Sequence, residues 1–206
     1  SFSTIINFKG ERTIFSEHVK RPHDFNFDQV STKWVYLTSL GEEWVHAYNK
    51  TVDFVKKTKC RLAFNPGTLQ IAAGKKSIEN VLLITDILFV NKEEAAQISN
   101  SKFQIPNELE NIKNLLEKLR KLGPKIVVIT DGKNGSYAID DKGNIFKKGV
   151  IETKEVEKTG AGDAYSSGFL FALINNKSIN DAMDLGTKNS ASVIGKVGAQ
   201  AGLLYV

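Results

Sequence analysis

From Trp34 onward the chain alternates short apolar runs with amphipathic helical stretches, and that alternation restricts the fold more than any other feature of its 206 residues. Trp34–Thr38, Arg61–Asn65, Ile87–Asn91 and Lys125–Thr130 read as strands. Between them, Glu42 to Lys57 carries Trp44, Val45, Tyr48, Val52 and Val55 at helical spacing, a short helix is expected near Ser77 to Ile84, and Lys92 to Ile98 is helical. Asn107 to Leu122 repeats Leu109, Ile112, Leu115, Leu116 and Leu119 until Gly123-Pro124 stops it. Strands separated each time by a helix are joined by crossovers and run parallel. The nearly continuous apolar run of Lys125–Thr130 calls for cover on both faces of the sheet. The expected class is α/β, a mostly parallel sheet with helices on both sides.

The remaining segments frame this unit. Ser3 to Phe15 reads as a β-hairpin with Lys9-Gly10 at its turn, and residues 16–30, with Pro22, read as irregular. Ser136–Asp140 and Asn144–Lys148 form a second hairpin around Asp141-Lys142-Gly143, and helices are expected over Gly162–Asn175 and Ser178–Val197. The chain therefore divides into a hairpin with its connector, 1–30, and an α/β domain, 31–206.

The net charge of +5 comes from scattered groups such as Lys56-Lys57-Thr58-Lys59, Lys75-Lys76 and Lys118-Leu119-Arg120-Lys121, without interleaved aromatics. That pattern is a solvated surface, with no nucleic-acid partner expected. Cys60 is the single cysteine, which excludes an intramolecular disulfide and a cysteine-based metal site. His18, His23 and His46 stand at no ligand spacing and read as surface or structural residues. The apolar run Val81–Ile84 is far too short to span a bilayer, so no membrane partner is expected and the chain reads as soluble and cytoplasmic.

Chemistry concentrates in Thr159-Gly160-Ala161-Gly162-Asp163-Ala164, a small-residue loop that ends in an acid and opens a helix. Ala164, Tyr165, Phe169 and Leu173 recur at helical spacing behind it. The glycines admit close approach of an anion, and the first helical amides point outward without intrahelical partners. Such a terminus attracts phosphate, which the Asp163 charge repels. A general base beside an anion hole reconciles the two: Asp163 takes a proton from a hydroxyl while the loop amides stabilise the phosphoryl group under attack. The plainer alternative is an ordinary helix start in which Asp163 only complements the dipole.

Val156-Glu157-Lys158-Thr159-Gly160-Ala161-Gly162-Asp163 resembles the second signature of the ribokinase-like (PfkB) family of sugar and nucleoside kinases, with Glu157-Lys158-Thr159 where the family usually has Asp-Thr-Thr. The resemblance implies a ribokinase-like fold and the opening hairpin as part of a substrate lid, an edge through which a homodimer could form. It implies ATP and Mg²⁺ as cofactors, with Asp163 as base and the amides of Gly160, Ala161 and Gly162 as the anion hole. Asn91 and Glu94 match an Asn-x-x-Glu element that organises Mg²⁺; a plain helix start with dipole-complementing acids is the alternative. Thr130, Gly132 and Gly135 resemble a Thr-x-Gly-x-x-Gly turn along the nucleotide, although Asn134-Gly135 is also a turn dipeptide in its own right. Thr159 joins the nucleotide-binding set. Asn189, with the small residues after it and Gly198-Ala199-Gln200, resembles an adenine wall, which helix packing would also explain. Glu157 stands where relatives place an acid for a monovalent cation, implying K⁺.

Nothing in the chain matches the N-terminal segment with a Gly-Gly motif that holds the acceptor in relatives, so the expectation is a C-terminal portion, a truncated product or half of a split enzyme. The activity implied is transfer of the ATP γ-phosphoryl to a hydroxyl of a sugar or sugar phosphate. A nucleoside such as adenosine is the second reading, because Asn65-Pro66-Gly67-Thr68-Leu69-Gln70 departs from the common sugar kinases. A nucleotide-binding chain without turnover is the competing class. The absence of G-x-G-x-x-G after an early strand argues against a dinucleotide oxidoreductase.

Overall fold

The computed structural model describes residues 2–8, 11–17, 20, 23–101 and 108–205. The Lys9-Gly10 turn, His18, Pro22 and Asn107 lie outside the described residues. In chain order the elements are β1 (Phe2–Phe8), β2 (Glu11–Glu17), β3 (Trp34–Leu37), α1 (Trp44–Thr58), β4 (Arg61–Phe64), α2 (Thr68–Ala72), α3 (Lys75–Leu82) and β5 (Ile87–Asn91). There follow α4 (Lys92–Ile98), α5 (Glu108–Arg120), β6 (Ile126–Thr130), β7 (Ser136–Ile139), β8 (Ile145–Lys148), α6 (Ala161–Ile174) and α7 (Ile179–Ile194). Strands β3 to β8 form one six-stranded sheet in sequence order, and β1 pairs with β2 in a separate antiparallel ribbon. Strands β3, β4, β5 and β6 run parallel, as the crossover argument requires.

The chain forms two compact units, one of residues 20–130 and 137–145, the other of residues 1–19, 131–136 and 146–206. The first has the larger core. Phe64, Ile78, Leu88, Leu116 and Ile129 are almost completely excluded from water, each burial stabilising the fold by about 1.5–3 kcal/mol. Tyr48 packs edge-on to Phe64 with ring centroids 5.7 Å apart, and its hydroxyl donates to the Thr38 carbonyl at 2.9 Å. Burial pushes its phenol far above the ordinary range. At the amino ends of the strands, one carboxylate oxygen of Asp86 accepts from the Leu62 amide at 2.9 Å and the other pairs with Lys125 at 2.7 Å.

The helical periods hold, with two corrections at their margins. Val45 on α1 is 52% exposed and Leu109 on α5 is 59% exposed, so both lie off the buried stripes to which the spacing assigned them. Each sits in the first turn of its helix. A further helix, α2, follows directly on Pro66-Gly67, and α3 begins at Lys75 rather than Ser77. The irregular connector is docked: Phe27 stacks on Phe54 with centroids 4.5 Å apart, and Nε2 of His23 accepts the Gly41 amide at 3.1 Å. His23 is thus structural.

In the second unit, α6 and α7 pack closely because Gly168 and Gly186 face the opposing backbone. A Cβ on Gly186 would lie 2.9 Å from the Tyr165 carbonyl oxygen. Tyr165 is buried and donates to the Ser136 hydroxyl at 2.8 Å. In the ribbon, Thr4 pairs with Phe15 and Ile6 with Thr13, and Ile6 and Phe15 are exposed.

Candidate active site

Gly160 is the N-cap of α6 and adopts φ 81°, ψ −1°, the left-handed conformation that glycine takes without penalty. Its carbonyl accepts the first helical bond, from the Ala164 amide at 2.8 Å. No side chain caps the helix start; the Ala161 amide donates to the Lys158 carbonyl at 3.2 Å, and helix geometry leaves the amides of Gly162 and Asp163 without intrahelical acceptors. Asp163 lies in the first turn and is exposed, as is Gly162.

The loop is held from behind. The amides of Val156 and Glu157 both donate to the Ile194 carbonyl, at 2.9 and 3.1 Å. The Glu157 carboxylate accepts the Gly198 amide at 2.9 Å. Gly160 lies against Ala199 so tightly that a Cβ would sit 2.6 Å from the Ala199 carbonyl oxygen. Gly162 is the reverse case: apart from its chain neighbours and its own helix backbone, no atom of the described residues lies within 4 Å of the place its Cβ would occupy. The protein's own packing gives no reason for a glycine there.

Asn189 is buried on α7. Its amide donates to the Ala164 carbonyl at 2.7 Å and accepts from the Leu204 amide at 2.9 Å, tying α6, α7 and the C-terminal segment together. Its side chain is engaged within the protein. Gly132 opens a single 3-10 turn, Gly132–Asn134, and Gly135 follows it, with the Asp131 amide on the Gly135 carbonyl at 2.8 Å. A Cβ on Gly132 would also meet no protein atom within 4 Å, whereas one on Gly135 would lie 2.0 Å from the Lys148 carbonyl oxygen.

In the other unit, Asn91 and Thr130 are register partners at the carboxyl ends of the neighbouring parallel strands β5 and β6. Asn91 caps α4 reciprocally with Glu94: the Glu94 amide donates to Asn91 Oδ1 at 2.8 Å, and the Asn91 amide donates to Glu94 Oε2 at 2.9 Å. Burial is the main cause that raises the Glu94 carboxyl above its ordinary range, and Glu93 adds to it against the lowering effect of the Asn91 amide. The capping box is therefore present, and it fixes both side chains at the strand ends where an open parallel sheet takes its ligands. Among the described residues no group of three or more His, Cys, Asp or Glu could hold a metal ion, and no helix is long and apolar enough to cross a membrane. A magnesium ion carried in on phosphates needs no such cluster, since it keeps most of its ligands as water and phosphate oxygens.

Reading the residues in order missed one buried polar side chain at the rim, Gln70, which is fully enclosed and bonded to the loops after β3 and β4. Its signal was present: Gln three residues after Gly67, the spacing of a helix cap and its N3 partner.

Comparison with known proteins identifies the family and the fold. Residues 13–204 match the pfkB family carbohydrate kinase description. A 5-dehydro-2-deoxygluconokinase of Bacillus licheniformis is 38% identical over 183 residues, covering 85% of this chain and 55% of that protein. A nucleoside kinase of Methanothermobacter thermautotrophicus is 26% identical over 151 residues, covering 73% of this chain and 45% of that protein. The crystal structure of a ribokinase from Thermotoga maritima superposes with a TM-score of 0.77 at 20% identity, covering 98% of this chain and 65% of that one. The fold is ribokinase-like. The chain spans about half the length of the curated relatives it matches.

Proposed function

The chain belongs to the pfkB family of carbohydrate kinases, and from that premise we propose that it transfers the γ-phosphoryl group of ATP to a hydroxyl of a sugar or sugar derivative. The observation that carries this reading is the start of α6, where an exposed aspartate, a first turn with no side-chain cap and an exposed Gly162 stand within four residues. Asp163 accepts the proton of the attacking hydroxyl. The amides of the Gly160–Gly162 segment stabilise charge on the transferring group, which must be positioned more than it must be activated. Asn91 and Glu94 would hold a phosphate-bound Mg²⁺ through its waters, and the ion would supply positive charge against the phosphates. Thr130, Gly132, Gly135 and Thr159 line the nucleotide, and Asn189 supports its base side by fixing α6 against the C-terminal segment. Glu157, with one oxygen on Gly198, is the acid for a K⁺ ion. The ribbon of β1 and β2, with Ile6 and Phe15 on an exposed face, serves as a lid and as a surface for a second copy of the chain. Residues 1–30 are then lid and connector, and 31–206 the catalytic α/β part.

A sugar acceptor is favoured by the Bacillus licheniformis relative, and a nucleoside acceptor is the second reading, favoured by the Methanothermobacter one. The test is release of ADP from Mg-ATP in the presence of D-ribose, fructose 6-phosphate, 5-dehydro-2-deoxygluconate or adenosine. Acceptor-dependent release establishes the reaction and names the acceptor class. ATP bound without release under any acceptor favours the reading of a nucleotide-binding chain that does not turn over alone.

A further inference from the structure

We propose that Gln70 is a positioning residue for the acceptor, and that with Gly67 it sets the distance between two loops forming one wall of the acceptor site. This rests on the kinase reading above. Gln70 lies within α2 and is fully buried. Its Nε2 donates to the Leu40 carbonyl at 2.9 Å, and its Oε1 accepts the Gly67 amide at 3.1 Å and, more loosely, the Ser39 hydroxyl at 3.4 Å. Leu40 and Ser39 belong to the segment after β3, Gly67 to the segment after β4. A single side-chain amide thus joins the two loops, with Gln70 and Leu40 30 residues apart along the chain.

A helix cap would need the Gly67 bond alone. The bond to Leu40 adds nothing to α2, and it dictates the orientation of the amide: reversed, it would put NH₂ against an N–H and oxygen against a carbonyl. A second observation points the same way. A Cβ on Gly67 would lie 2.0 Å from Ser39 Oγ and 2.9 Å from Gln70 Oε1, while Gly67 itself has an unremarkable extended backbone. Glycine is needed there for proximity, not for conformation. The loops touch, with Gln70 beneath them and Ser39 exposed above.

Their place on the sheet assigns the ligand. Both loops leave the carboxyl ends of parallel strands, the side on which such sheets bind. In the reading above, the ends of β5 and β6, at Asn91 and Thr130, serve the nucleotide and its cation. The ends of β4 and β3 come next along the same rim, about 5 and 10 Å from β5 at the usual strand spacing. That stretch is left for the group that receives the phosphoryl.

The experiment compares the full chain with Gln70→Leu and Gly67→Ala. Mg-ATP affinity is read by calorimetry. Affinity for D-ribose, fructose 6-phosphate, 5-dehydro-2-deoxygluconate and adenosine is read by ligand-observed NMR, and thermal melting reports folding. The expected result is a loss of about tenfold or more in acceptor affinity in both variants, as misplacement of a substrate-positioning wall produces, with Mg-ATP affinity within about twofold of the parent because the nucleotide side is untouched. Gly67→Ala keeps Gln70 and decides the matter should Gln70→Leu not fold. Unchanged acceptor affinity in the folded variants overturns the proposal, as does a parent chain that binds Mg-ATP but none of the four acceptors. Failure of the parent to bind Mg-ATP refutes the kinase reading beneath it and takes the proposal with it.

Discussion

Replacing Gly160 with alanine should separate the structural from the ligand-binding demands of the α6 loop. The residue has φ 81°, and an alanine Cβ would lie 2.6, 2.8 and 2.9 Å from the carbonyl oxygen, Cβ and Cα of Ala199. Ordinary carbon contacts are about 3.5–4.0 Å, so either the 198–199 segment moves or the α6 start does. Two costs add: about 1–2 kcal/mol for an L-residue in the left-handed region and about 1–3 kcal/mol for overpacking. The predicted destabilisation is about 2–5 kcal/mol, a fall in Tm of roughly 4–20 °C for a chain of this size. Gly162→Ala is the matched control, since beyond its chain neighbours and its own helix backbone its methyl meets nothing within 4 Å among the described residues. It should leave stability unchanged or raise it by up to about 1 kcal/mol, the helix preference of alanine over glycine, and still weaken Mg-ATP binding by filling the ligand's space. Urea unfolding gives the first quantity and calorimetric titration with Mg-ATP the second. A Gly160→Ala midpoint equal to the parent's would refute the packing argument, and full nucleotide affinity in Gly162→Ala would refute the claim that a ligand lies over the first turn.

Two further perturbations follow from the buried polar groups. Asn189→Leu removes one of two side-chain donors to the Ala164 carbonyl, which keeps the Ser167 hydroxyl at 3.0 Å, and takes the acceptor from the Leu204 amide, at about 1–3 kcal/mol for the group left unsatisfied; chemical denaturation should show a loss of about 1–3 kcal/mol, and a loss below about 0.5 kcal/mol contradicts it. The Glu94 carboxyl, raised above its ordinary 4.5 chiefly by burial, is a group whose folded state holds its proton longer than the unfolded chain. Its penalty is therefore absent below the unfolded pKa and grows as pH rises through the folded one. Glu94→Gln keeps an oxygen for the Asn91 amide and should gain stability relative to the parent as pH rises from the unfolded value through the raised one. A constant difference across that window contradicts the assignment.

The fold was legible because its strands and helices differ in period. Lys92–Ile98 could be bounded to the residue, since Asn91 and Glu94 announce a capped helix start and Ile98 ends the apolar spacing. Margins were less legible: Val45 and Leu109 fit the helical period yet stand exposed, because periodicity gives a face but not how far a neighbour extends along it. α2 was hidden for a different reason. At five residues it is too short to display a period, and Pro66-Gly67 before it reads as the end of a strand. For the candidate site, sequence pointed to each residue on its own chemistry, but the packing of Gly160 on Ala199 and the bond from Gly198 to Glu157 join segments some 40 residues apart. No local pattern encodes such pairs. Gln70 belongs to this class too, for its cap spacing was readable and its bond to Leu40 was not.

The central claim is that Asp163 is the proton acceptor of a phosphoryl transfer, and Asp163→Asn tests it most directly. The side chain keeps its size and its place in the exposed first turn of α6, while the capacity to take a proton is lost. Acceptor-dependent ADP release should fall by a factor of about 10²–10⁴, the usual contribution of a general base. Mg-ATP affinity should hold or rise, because a negative charge is removed beside the phosphates. Turnover equal to the parent's would contradict the account.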